Sequence, residues 1–107
     1  MSQHDRSRAR AAVNRLPEIL EAIRRREPRA EAKAEIKVSA PHARSAYLSY
    51  TRLSGPRESV LEYAAYLFAD DRGHGAARLD LDAVERDDHG TLTLLLSRSL
   101  YEAPAEE

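Results

Sequence analysis

The sequence predicts an α+β domain of order α-β-β-α-β-β, a four-stranded antiparallel sheet with two helices packed on one face. Three observations predict it. Residues 59–69 form the most apolar helix-like stretch of the chain, with apolar residues recurring at helical spacing. A second stripe at the same period runs through Ala9, Ala12, Val13, Leu16, Ile19, Leu20 and Ile23. Elsewhere, three segments alternate apolar and polar residues with period two, as strands with one buried face do, and a fourth, Ser45 to Leu53, is rich in strand-forming Tyr, Leu and Thr.

Taken in order, residues 1–8 read as a disordered lead-in and residues 9–101 as a single domain. The first helix starts at Ala9 and contains Pro17. Its stripe keeps phase on both sides of that proline, so one kinked helix is expected. The alternative is a helix beginning there with Asn14 as its cap. Glu27-Pro28 ends the helix, because the residue before a proline is pushed away from the α region. Ala34, Ile36, Val38 and Ala40 alternate with Lys33, Glu35, Lys37 and Ser39 as a first strand, although Ala30 to Glu35 also has high helix propensity. Pro41 to Arg44 reads as a turn and Ser45 to Leu53 as the second strand of a hairpin. Tyr47 and Tyr50 differ in parity, unlike the same-face aromatics of a base-stacking sheet.

Gly55-Pro56 opens the central helix, with proline at a first helical position and Glu58 in the first turn. Ser59 with Glu62 is a competing capping box about one turn later. The earlier start is preferred. Val60, Ala64, Leu67 and Phe68 fall on one side, flanked by Leu61 and Ala65, while Ser59, Glu62, Tyr63 and Tyr66 occupy the other half. Gly73 and Gly75 end the helix.

Ala77, Leu79 and Leu81 alternate with Arg78, Asp80 and Asp82 in a third strand. Asp82 with Glu85 is also a signal for a short helix. A loop around Asp87 to Gly90 leads to a fourth strand, Thr91 to Arg98, whose Leu92, Leu94 and Leu96 share one face. Leu95 points the other way, so this strand is covered on both sides or the second sheet face meets another molecule. That second face is expected to carry Lys33, Glu35, Lys37 and Asp80. Residues 102–107 read as an acidic tail, and the two α-β-β halves suggest a structural repeat without residue-level identity.

At 107 residues the chain can bury one core. It has no cysteine, which excludes disulfides, thiolate metal sites and a cysteine nucleophile. No apolar run approaches the roughly 20 residues of a membrane span, and the first residues are too polar for a secretory signal. A cytoplasmic protein with no membrane partner is therefore expected. The net charge of -1 conceals a segregation. Residues 1–29 hold eight arginines and four acids, leaving nine basic and fourteen acidic residues elsewhere.

Chemistry-bearing constellations are sparse. Asp70, Asp71 and His74 with Asp87, Asp88 and His89 offer metal-ligating side chains, but a strand of about 20 Å separates the two trios at roughly 3.3 Å per residue. No serine, histidine and acid fall into a hydrolase pattern, and Gly73-His74-Gly75 is not a phosphate loop. No catalytic residue, metal or cofactor is expected. Tyr63, Tyr66 and Glu62 are candidate protein-binding residues, because tyrosine is enriched where partners meet. Arg24, Arg25, Arg26 and Arg29 form a basic patch that fits either the negative end of a helix dipole or phosphate.

The expected function is that of a small non-enzymatic protein which binds another protein stoichiometrically as a regulator, inhibitor or assembly factor. One version is a phage- or mobile-element-type inhibitor whose acidic face imitates nucleic acid. A homodimer through the open sheet face or an edge strand is also expected. The alternative is a nucleic-acid-binding accessory protein that uses the Arg-rich first helix.

Overall fold

The computed structural model describes residues 15–39, 42–44, 48–71 and 77–100. Their order is α1 (Leu16–Arg25), a 3-10 segment (Ala30–Glu35), β1 (Lys37–Val38), β2 (His42–Ala43), β3 (Leu48–Pro56), α2 (Arg57–Asp71), β4 (Ala77–Asp88) and β5 (Thr91–Leu100). The fold is α+β, with one antiparallel sheet of order β1-β3-β5-β4 in which β2 also pairs with β3. Five strands replace the four expected because His42–Ala43, expected within a turn, pairs with β3 as a second short edge strand. Val38 pairs with Leu53 and His42 with Tyr50, so four steps along the edge match three along β3 and one extra residue is accommodated between them.

The strand expected from Lys33 begins later. Ala30–Glu35 is the 3-10 segment, so helix propensity prevails there over the alternating pattern, and extended structure starts at Lys37. Lys33 and Glu35 therefore do not lie on the sheet. In α1 the described helix begins at Leu16 with Pro17 in its first turn, where the missing N–H costs no intrahelical bond. The expected helical stretch before Arg15 lies outside the described residues. So do Gly73 and Gly75, the expected end of α2. Pro56 closes β3 and Arg57 opens α2, so strand passes into helix without a loop.

β3 and β4 are each antiparallel to β5, which lies between them. They therefore run parallel, and α2 is the crossover of a split β–α–β unit. Ile19 and Ile23 of α1, Val60, Leu61, Ala64 and Ala65 of α2, and Leu53, Leu79, Val84, Leu92, Leu94 and Leu96 of the sheet form one core. Both helices thus cover the same face of the sheet, as the patterning implies.

β4 departs most from its expected form. It extends to Asp88 and carries two register shifts, one between Leu81 and Ala83 and one between Val84 and Arg86. Asp82 and Glu85 are the extra residues at these bulges, not the start of a short helix. Each bulge exchanges the faces of the residues that follow. After the second, Arg86 pairs beside Thr93 on the open face while Asp87 pairs beside Leu92 on the helix side. The hairpin closes through His89 and Gly90, with φ of 49° and 81°, the two positive values a tight type I′ turn requires.

Candidate protein-binding groove

α2 is covered on two sides, which changes the standing of its tyrosines. Ser59 donates to Glu35 Oε1, and Glu62 one turn later meets the chain at Arg29 through both its carbonyl and its carboxylate. The 29–35 segment therefore lies along the helix face expected to border solvent. Gly55 makes room for this approach: a Cβ there would sit 3.0 Å from Ile36 Cγ2 and 3.1 Å from Ile36 Cα. Tyr63, expected at the border of the core, is 8 % exposed. Burial, and secondarily the neighbouring Tyr66, raise the pKa of its phenol above the ordinary value. Tyr66 is half-buried and stacks on it, ring centroids 5.8 Å apart. Of the candidate residues Tyr63, Tyr66 and Glu62, only Tyr66 keeps substantial ring surface for a partner, since Glu62 is held by Arg29.

The basic patch is largely engaged within the fold. Arg25 pairs with Glu21 at 3.1 Å, Arg26 with Glu58, and Arg29 with Glu62 at 3.2 Å and Glu31 at 3.9 Å. Arg24 has no ion pair among the described residues and is exposed.

Arg24 stands on the rim of an open groove of about 660 Å³ between α1, α2 and β4. Leu16, Leu20, Phe68 and Leu81 line it, together with Pro17, Pro28 and, from β4, Asp80. All four apolar residues belong to stripes or alternations that the sequence assigns to a core, yet each is only half-buried. No described element fills this space between the two helices and β4. Sequence reasoning missed this site because a groove residue and a core residue share the same periodicity; the available signal was a stripe on α1 wider than two buried isoleucines need.

Of the metal-ligating side chains weighed from the sequence, His74 lies outside the described residues. Among the described residues no three acidic or histidine side chains converge on a common point, and Asp87 is occupied by Arg15 and Arg57. Among the same residues no helix is long and apolar enough to cross a membrane. No family model matches the sequence, and neither the curated proteins nor the solved structures contain a match to it.

Proposed function

We propose that this chain is a non-enzymatic protein-binding domain which acts stoichiometrically, as a regulator, inhibitor or assembly factor, by taking an amphipathic helix of another protein into the groove between α1, α2 and β4. The observation that carries this reading is the convergence of Leu16, Leu20, Phe68 and Leu81, left half-buried around one cleft. Apolar clefts with a few rim charges are where partners bury their anchors. A helix fits better than a strand, because the bulges at Asp82 and Glu85 interrupt the free edge of β4 that an added strand would pair with. Arg24 on the rim favours a partner helix with a carboxylate beside its apolar face. The nucleic-acid reading is weaker, since three of the four arginines of its patch already hold carboxylates.

Affinity capture from the native cell, with and without nuclease, tests the proposal using the wild type and the variants Leu20→Glu, Phe68→Glu and Arg24→Glu, each checked for folding by circular dichroism. A protein partner should survive nuclease, be lost with either apolar replacement and be weakened by the rim reversal. Capture that vanishes with nuclease, or that ignores all three folded variants, rejects it.

A further inference from the structure

The face of the sheet opposite the helices holds a second cavity, independent of the groove. No described helix packs there. Tyr50 of β3 and Leu95 of β5, both half-buried, line a hollow of about 360 Å³ whose walls also include His42 and Arg44 from the β2 edge and Asp82 from β4. Strand register lays these groups out along a diagonal. His42 pairs with Tyr50 and Tyr50 with Ser97, whereas Leu95, two residues away on β5, pairs with Ala83, and Asp82 is the bulged residue beside Ala83. Arg52 closes one flank, because its two contacts with Glu85, at 2.5 and 3.0 Å, pass over β5 to reach β4.

The two ends of the hollow carry opposite charge. From Ile36 to Arg57 the sequence contains no acid, and β5 contains none either, so every carboxylate of the sheet belongs to β4. Of those near the hollow, Asp80 pairs with Arg78 at 3.5 Å and Glu85 is held by Arg52. Arg44 and Asp82 are exposed and have no ion pair among the described residues. Three strand spacings of about 4.8 Å, with an offset of roughly 5 Å along the strands, put His42 and Asp82 about 15 Å apart at the backbone.

We infer that this hollow binds a nucleoside monophosphate whose base carries an exocyclic amine, with cytidine monophosphate as the simplest case. The phosphate meets the Arg44 guanidinium and the His42 imidazole, and charge-assisted hydrogen bonds hold it. The base lies over the Tyr50 ring and Leu95, where stacking is indifferent to its identity. At the far end its amine donates to Asp82, which supplies the selectivity, since a carboxylate accepts from an amine and repels a carbonyl oxygen. The volume falls at the small end of the range for ligand sites, about 300–1,000 Å³. A continuous nucleic-acid strand fits less well, because its further phosphates would run past the acids of β4. An acidic peptide would set like charge against Asp82 in the same way.

Isothermal titration of the full chain with cytidine monophosphate, uridine monophosphate and a single-stranded cytidine oligonucleotide is the experiment, using the wild type, Arg44→Ala and Asp82→Ala. Both variants are checked for folding by circular dichroism. The wild type should bind one cytidine monophosphate per chain and uridine monophosphate about tenfold more weakly. Arg44→Ala should weaken both nucleotides about tenfold or more. Asp82→Ala should abolish the preference between them. Absence of cytidine monophosphate binding overturns the inference, as do equal affinities for the two nucleotides in the wild type or indifference of either folded variant. An oligonucleotide that binds more tightly than the mononucleotide, and loses that affinity with Arg44→Ala, overturns it in favour of a nucleic-acid strand.

Discussion

Arg15 Nη2 lies 2.6 Å from Asp87 Oδ2, which ties the entry of α1 to the far end of β4. The contact is close but off the hydrogen-bond angle, so that oxygen has no aligned donor. Oδ1 meets Arg57 Nε at 3.1 Å, and the Asp87 side chain is only 9 % exposed. The neighbouring Arg57 N–H donates to the Gly90 carbonyl at 2.8 Å, so the β4–β5 hairpin tip caps α2 while Asp87 stands near its positive end. Replacing Asp87 by Ala leaves two guanidiniums without their shared anion and should cost about 2–3 kcal/mol in urea unfolding. Asp87→Asn, which keeps the shape, should cost less. Equal losses for the two would show that the charge alone matters and the shape contributes nothing.

Gly55 and Gly90 should respond differently to alanine. At Gly55 the added Cβ meets the backbone of Ile36 at 3.1 Å, which cannot swing aside. At Gly90 nothing lies within 4 Å and only the φ of 81° resists. Thermal melts should place Gly55→Ala at a loss of about 2–3 kcal/mol and Gly90→Ala at about 1 kcal/mol.

His89 occupies the first position of the hairpin turn with φ 49°, a conformation asparagine tolerates better. His89→Asn should stabilise the protein by roughly 0.5 kcal/mol. A lower melting temperature would count against the type I′ assignment.

The Tyr63 phenol has a pKa raised above 10.0 by burial in the fold. Its contribution to stability is therefore complete below 10.0, the ordinary value, and is lost as the pH rises past it, because the unfolded chain ionises first. Between pH 8 and 11 the melting temperature of the wild type should fall more steeply than that of Tyr63→Phe. Parallel profiles would mean the phenol reaches water.

How much of this was legible in the sequence varies with the range of the interaction involved. The helical spacing of Ile19 and Ile23, and of Val60, Leu61 and Ala64, follows from local geometry, and these residues are core. So are Leu92, Leu94 and Leu96, whose alternation reads directly as a buried strand face. Tyr63 was misplaced because helical projection assigns one wet side to α2, whereas the 29–35 segment returns to cover it. Asp82 and Glu85 were ambiguous because a bulge has no periodic signature. Asp87 looked like a turn residue because its partner Arg15 lies at the other end of the described chain.

What the sequence by itself determined is the α+β class, the two amphipathic helices and the antiparallel hairpins, all consequences of periodicity, proline and glycine acting over a few residues. Only the tertiary structure decided which apolar residues close into the core and which remain around the groove between α1, α2 and β4. It also decided that the second bulge of β4 would undo the face exchange made by the first, so that Asp87 returns to the helix side beside Leu92. Those outcomes depend on strand register and on how the helices pack on the sheet, and both are set by contacts between segments remote in the chain.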